Sequence, residues 1–118
     1  MKKVLVGVPC YNCENTVQKL IKDMKKFQEK NQIDFYFIND GSSDKTSLIL
    51  KNSRVNYFDS ETNEGYGSAV KKAINQAIIK KYKYCLIFPG DYQRSFRDIL
   101  RLIEAACEKN YDTVTGSK

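Results

Sequence analysis

Short apolar runs alternate along the chain with longer stretches whose apolar positions recur every three or four residues. Val4-Leu5-Val6-Gly7-Val8 reads as a buried strand that Pro9 ends. From Glu14 to about Lys30 the apolar positions are Val17, Leu20, Ile21, Met24 and Phe27, one face of a helix. Phe35-Tyr36-Phe37-Ile38 predicts a second strand. Asp40-Gly41-Ser42-Ser43-Asp44 predicts a turn, with Ser43 or Asp44 as the N-cap of a short helix to about Leu50. Val55-Asn56-Tyr57-Phe58 reads as a third strand. Beyond the loop Asn63–Gly67, a helix carries Ala69, Val70, Ala73, Ile74, Ala77 and Ile78 on its inner stripe. Tyr84-Cys85-Leu86-Ile87-Phe88 is a fourth strand, stopped by Pro89-Gly90. Phe96, Ile99, Leu100, Ile103 and Cys107 mark a fourth helix, and Asp112-Thr113-Val114-Thr115 a last short strand.

Strand–helix alternation of this kind predicts an α/β fold: a Rossmann-like, mostly parallel sheet with helices on both faces, formed by residues 1–118 as one domain. Such sheets bind ligands beyond the carboxyl ends of their strands. The loops to read are therefore Pro9–Glu14, Asn39–Asp44, Asp59–Gly67 and Pro89–Gln93.

Composition narrows the chemistry. The 118 residues are 42% hydrophobic and 29% charged, the balance of a soluble globular domain. No apolar run approaches the roughly 20 residues that span a bilayer. Met1-Lys2-Lys3 leads into too few apolar residues for a signal peptide, so a cytoplasmic protein with reduced thiols is expected. The sequence contains no histidine, which excludes histidine triads, histidine-ligated zinc and histidine general bases. Twenty Lys and Arg against 14 Asp and Glu give a net charge of +6, favouring anionic partners. Lys25-Lys26, Lys71-Lys72 and Lys80-Lys81 fall inside helical patterns and read as solvated faces, so nucleic acid is not expected.

Each loop carries groups that suit a nucleotide. Pro9-Cys10-Tyr11-Asn12-Cys13-Glu14 offers an aromatic ring and a carboxylate beside a helix N-terminus. Asp40, with Gly41 and Ser42, places a carboxylate at a strand end, where it can accept a base N–H or simply hold a turn. Asn63-Glu64-Gly65-Tyr66-Gly67 leads into a helix and lets a phosphate approach closely, although it lacks the third glycine of the dinucleotide fingerprint. Asp91 follows the fourth strand, where it can hold a divalent cation against a diphosphate. Cys10-Tyr11-Asn12-Cys13 is also a C-x-x-C at a strand-to-helix junction, the place of a redox pair in a thioredoxin-like domain.

Taken together, these motifs resemble those of the family 2 glycosyltransferases, which have the GT-A fold. Val6-Gly7-Val8-Pro9-Cys10-Tyr11-Asn12 resembles the opening V-x-x-P-x-Y-N of that family. Ile38-Asn39-Asp40-Gly41-Ser42-Ser43-Asp44-Lys45-Thr46 resembles V-D-D-G-S-x-D-x-T. Asn63–Ala69 matches N-x-G-x-x-x-A, and Gly116-Ser117-Lys118 resembles G-S-R. The resemblance implies that Pro9, Tyr11, Glu14 and Asp40 surround the nucleotide base and ribose, and that Lys71 faces the sugar-phosphate region. With Gly41, Ser42, Gly65 and Asp91 these form the candidate donor site.

Two departures stand out. The family's D-x-D metal motif reads Pro89-Gly90-Asp91-Tyr92-Gln93, with proline in place of the first aspartate. Asp91 is then the expected ligand of Mn²⁺ or Mg²⁺, assisted by Gln93. The family's acceptor-side half, with its catalytic base, follows the G-S-R region and is expected beyond Lys118. The resemblance thus implies the nucleotide-sugar-binding half of a metal-assisted, inverting glycosyltransferase. It would bind a nucleotide-diphosphate sugar with little transfer of its own, for a glycan or lipid-phosphate acceptor. An apolar edge where the other half docks would favour a homodimer, and segments outside residues 1–118 an association with the membrane surface. The alternatives are a thioredoxin-like redox domain using Cys10 and Cys13, and a nucleotide-binding module without chemistry.

Overall fold

Alternation within the first strand decides the layering. In the computed structural model, which describes residues 4–92 and 95–109, strand β1 spans Val4–Cys10. Val4, Val6, Val8 and Cys10 point to one face of the sheet and Leu5 to the other, each into its own apolar cluster. Helix α1 (Glu14–Lys30) follows, then β2 (Ile33–Asp40), α2 (Thr46–Asn52), β3 (Tyr57–Ser60), α3 (Tyr66–Ile79), β4 (Tyr84–Ile87) and α4 (Phe96–Lys109). The strands pair in parallel in the order β3-β2-β1-β4. Both central strands are buried on both faces, as covered parallel sheets require.

Val17, Leu20, Ile21 and Met24 of α1, Leu50 of α2 and Ile99 of α4 pack on one face with Phe35, Phe37 and Leu86. Ala69, Ala73 and Ala77 of α3 cover the other, against Leu5, Ile38, Cys85 and Ile87. Helices on both faces of a parallel sheet are the architecture the alternation predicts. Chain order reverses after β3: α3 crosses back over the sheet to deliver β4 on the far side of β1. The carboxyl end of β1 is thus the point where connections diverge, the usual place for a ligand.

Several boundaries differ from the expectation. Pro9 does not end β1, which continues to Cys10 in register with Asn39. Its carbonyl accepts the Gly90 N–H at 3.1 Å, on the side where pairing with β4 ends at Gly7, so the missing proline N–H costs no contact with β2. Asn39 and Asp40 belong to β2, and Asp59 and Ser60 to β3; side-chain hydrogen bonds let Asn39, Asp40 and Asp59 stay in the ladder, whereas the buried Ser60 hydroxyl has no partner among the described residues. Lys45 immediately precedes α2 and its own side chain caps nothing, but Asp44, one of the two expected caps, accepts the N–H of Thr46, the first residue of α2, at 2.9 Å. Ile78 lies outside the α3 stripe, 68% exposed, and Leu100 is also exposed. Gln93, the Cys107 side chain, the expected strand Asp112–Thr115 and Gly116-Ser117-Lys118 lie outside the described residues. No helix among those described is long and apolar enough to cross a membrane.

Candidate functional site

The two loops that follow β1 and β2 are laced together by side chain–backbone hydrogen bonds. Ser42 Oγ accepts the Asn12 N–H at 2.9 Å, and Asn12 Oδ1 accepts the Ser43 N–H at 2.8 Å. Thr46, fully buried, accepts the Cys13 N–H at Oγ1 (2.9 Å) and donates the same hydroxyl to Asp44 Oδ1 at 2.6 Å. The other oxygen of Asp44 accepts the Glu14 N–H at 3.1 Å, in the first turn of α1. Burial works to raise the Asp44 carboxyl. The donors from Thr46 and Glu14 outweigh it and hold the group below its ordinary value. Buried Asn39 donates to Asp59 Oδ1 at 2.5 Å and accepts the Ser42 hydroxyl at 2.5 Å, tying in β3.

Asp40 joins the third loop. It is 5% exposed, and its two oxygens accept the Glu64 N–H at 2.8 Å and the Gly65 N–H at 3.0 Å. Gly41 makes this approach feasible. Its φ is +68°, and a side chain there would run into the backbone of Thr62 and Asn63. A cavity of about 240 Å³ opens beside this junction, lined by Pro9, Cys10, Tyr11, Asp40, Asn63, Gly65, Tyr66 and Ala69. The rings of Tyr11 and Tyr66, 51% and 50% exposed, stand at its walls.

The turn after β4 is held differently. Gly90 packs so tightly on β1 that a Cβ would lie 2.6 Å from the Pro9 carbonyl oxygen and 2.9 Å from Cys10 Sγ. Thr16 donates its hydroxyl to the Gly90 carbonyl at 2.9 Å. Tyr92 packs at a tilt against the rings of Phe88 and Phe96 and donates to Asp23 Oδ2 at 2.7 Å. Burial, then the contact with Asp23, pushes its phenol up to about 12. Asp91 is exposed between these anchors, at the same sheet edge as Asp40.

The structure therefore brings Pro9, Tyr11, Asp40 and Gly65 into one cavity. Gly41 and Ser42 support it from below, and Glu14 sits at the adjoining start of α1. Asp91 stands beside the cavity rather than in its wall, joined to it through Gly90, Pro9 and Cys10. Lys71 is exposed on the outer side of α3, in a separate groove with Glu64, Ser68 and Lys72. Cys10, Asn63 and Ala69 also line the cavity without having been expected there, and so does Tyr66, the one aromatic residue among those missed. Its signal was an aromatic side chain in the first turn of a helix entered through glycine, at the carboxyl edge. A larger groove of about 750 Å³ runs between α1 and α4 but contains no carboxylate among its described residues.

A parallel sheet with its connections reversing at β1, and a cavity built from the loops at that point, defines a Rossmann-like α/β domain. The model of glycosyl transferase family 2 matches residues 5–118, and the chain belongs to that family. It is 34% identical over 116 residues to the uncharacterized protein MJ0544 of Methanocaldococcus jannaschii, covering 92% of this chain and 49% of that one. It is 33% identical over 86 residues to the poly-beta-1,6-N-acetyl-D-glucosamine synthase of Staphylococcus epidermidis, covering 70% of this chain and 20% of the synthase. The crystal structure of S. aureus TarS superposes with a TM-score of 0.66 at 25% identity, over 91% of this chain and 20% of TarS. The fold is the GT-A type expected from the motifs. The chain spans about half the length of the archaeal relative and a fifth of the synthase.

Proposed function

We propose that this domain binds the donor of a glycosyl transfer, a nucleotide-diphosphate sugar, with the base in the cavity between Tyr11 and Tyr66. The observation that carries this reading is the convergence of Pro9, Tyr11, Asp40 and Gly65, from three loops, on one cavity. Asp40 spends one lone pair of each oxygen on the loop and keeps the others for a base N–H. That favours bases with a ring N–H, such as uracil, thymine or guanine, over adenine and cytosine, whose ring nitrogens accept. The tyrosine rings offer their faces to the base.

The diphosphate would then extend toward Gly90 and Asp91. Among the described residues no three acidic or thiol groups cluster around a metal position. One exposed carboxylate still suits a cation of the Mg²⁺ or Mn²⁺ kind, which takes most of its ligands from substrate phosphates and water. Such an ion, held by Asp91 with help from Gln93, would neutralise charge on the leaving diphosphate. Proline at position 89 leaves Asp91 as the single carboxylate of this turn, held in place by Tyr92 and by the Thr16 contact to Gly90.

Transfer is displacement at the anomeric carbon by an acceptor hydroxyl, with inversion, to a glycan or a lipid phosphate. The chain's own contribution is to fix the donor and orient its diphosphate at the sheet edge. The hydroxyl proton falls to a base outside this set, which the family resemblance puts after Gly116-Ser117-Lys118. A thioredoxin-like role has less support, because the described strands form one wholly parallel sheet. Melting curves with UDP-, GDP- and dTDP-sugars, each with Mn²⁺, test the proposal. One class is expected to raise the melting temperature in proportion to the logarithm of its concentration. No shift with any of them contradicts it.

A further inference from the structure

Tyr11 of the Cys10-Tyr11-Asn12-Cys13 motif serves the proposed donor cavity, but the two thiols that flank it have no role there. Cys10, the last residue of β1, is 1% exposed and lies against Gly90. Cys13 sits half-buried just ahead of α1, its N–H fixed by Thr46. Between them the chain folds back, with Asn12 in the left-handed region at φ +51°; Cys13 packs against the apolar cluster that contains Cys10, and each thiol lies in reach of a backbone carbonyl, Cys10 of Val8 at 3.5 Å and Cys13 of Tyr11 at 3.4 Å. Cys85 is buried on the opposite face of the sheet. We propose that Cys10 and Cys13 are a reversible dithiol–disulfide site for peroxide oxidants, one that alters the adjoining cavity when it closes.

Exposure and charge divide the roles. Cys13 is the thiol that solvent reaches, and the Cys10 thiol pulls it down to about 7, against burial and the charges of Asp91 and Asp44. Cys13, then burial, pushes the Cys10 thiol up, so it stays protonated. The Cys13 thiolate attacks one oxygen of the peroxide. The O–O bond breaks, the departing hydroxide takes a proton to become water, and Cys13 becomes a sulfenic acid. The Cys10 sulfur then displaces the hydroxyl: the S–S bond forms, the S–O bond breaks, and the Cys10 proton leaves with the hydroxyl as a second water. Two thiols lose two electrons and one peroxide gains them.

Closure reaches the cavity by two routes. Tyr11 lies inside the ring that the disulfide completes, and Cys10 itself lines the cavity wall and supports Gly90 beside Asp91. This consequence rests on the donor-site reading; formation of the disulfide does not.

The test uses the whole 118-residue chain. After stoichiometric hydrogen peroxide, alkylation and trypsin, the peptide Val4–Lys19 is expected to be lighter by two hydrogens and unalkylated, and dithiothreitol should restore both thiols. Cys10→Ser is expected to stop at a Cys13 sulfenic acid that dimedone traps. Cys85, its thiol pushed up to about 11 by burial, should remain reduced throughout. Two alkylatable thiols in that peptide, or a sulfinic acid at Cys13 with Cys10 untouched, overturn the pairing. Titration with UDP before and after oxidation is the second readout. A weaker affinity that dithiothreitol restores, absent in Cys13→Ser, is expected. Disulfide without any change in a measurable UDP affinity overturns the coupling. Disulfide in a chain that binds no nucleotide even when reduced shows instead that the cavity is not the donor site, and the pair stands.

Discussion

Asp40 and Asp91 end neighbouring connections at the same edge of the sheet, and the molecule treats them in opposite ways. Asp40 is buried, each oxygen holding a backbone N–H of the loop that enters α3, so its position is part of the fold. Asp91 is exposed, and its turn is fixed by neighbours: Gly90 against Pro9, the Thr16 hydroxyl on the Gly90 carbonyl, and Tyr92 against Asp23. One carboxylate is built into the cavity wall and the other lies exposed beside it. A strand-end aspartate can therefore be part of the framework or part of the surface, and the backbone N–H groups it holds show that Asp40 is the former.

The sharpest break in this comparison is removal of the buried carboxylate. Asp40→Ala orphans the Glu64 and Gly65 N–H groups and is expected to cost about 3 kcal/mol, read as a fall in urea midpoint. Asp91→Asn should cost less than about 1 kcal/mol in the same assay, since exposed carboxylates contribute little to stability. Equal losses would erase the distinction. Next in size, Thr46→Val keeps the shape but leaves the Cys13 N–H without its acceptor, an expected loss of about 1–2 kcal/mol. Tyr66→Ala should leave the melting temperature nearly unchanged and weaken UDP binding about tenfold, or about 1.4 kcal/mol. Tyr66→Phe should bind like the parent. An Ala variant that binds normally would take Tyr66 out of the site.

The smallest effect is in pH. The Asp44 carboxyl is held below its unfolded value, so its contribution is present above the ordinary carboxylate pKa of about 3.9 and fades as pH falls through the lower folded value. Stability of the parent should drop over that acid range more steeply than that of Thr46→Val, which lacks the hydroxyl donor to Asp44. Parallel pH curves would contradict this.

Much of this was legible in the residues. Apolar periodicity placed the four helices and the four described strands, and Gly-rich or polar loops marked the edge where the cavity lies. Boundaries were less so, because Asn39, Asp40 and Asp59 look like loop residues until their side-chain bonds are seen. Asp44 read as a helix cap, and one oxygen does accept the Thr46 N–H at the start of α2, but the bond of its other oxygen to the Glu14 N–H spans thirty residues and has no local signature. The motif from Asn39 to Thr46 announced a site, but most of it turns out to hold loops together, with Asp40 alone reaching the cavity wall. Tyr66 was hidden in plain view, since an aromatic residue entering a helix reads first as packing.

Amide spectra of the labelled chain with UDP and Mg²⁺, repeated after replacing Mg²⁺ with Mn²⁺, test the central claim that the base cavity and Asp91 serve one bound nucleotide. Paramagnetic broadening is expected at the Gly90–Tyr92 turn, with weaker effects at Cys10–Cys13 and Glu64–Tyr66, and none at Lys80–Lys83 on the far edge. Broadening centred on the groove between α1 and α4, or none that depends on UDP, would contradict the account.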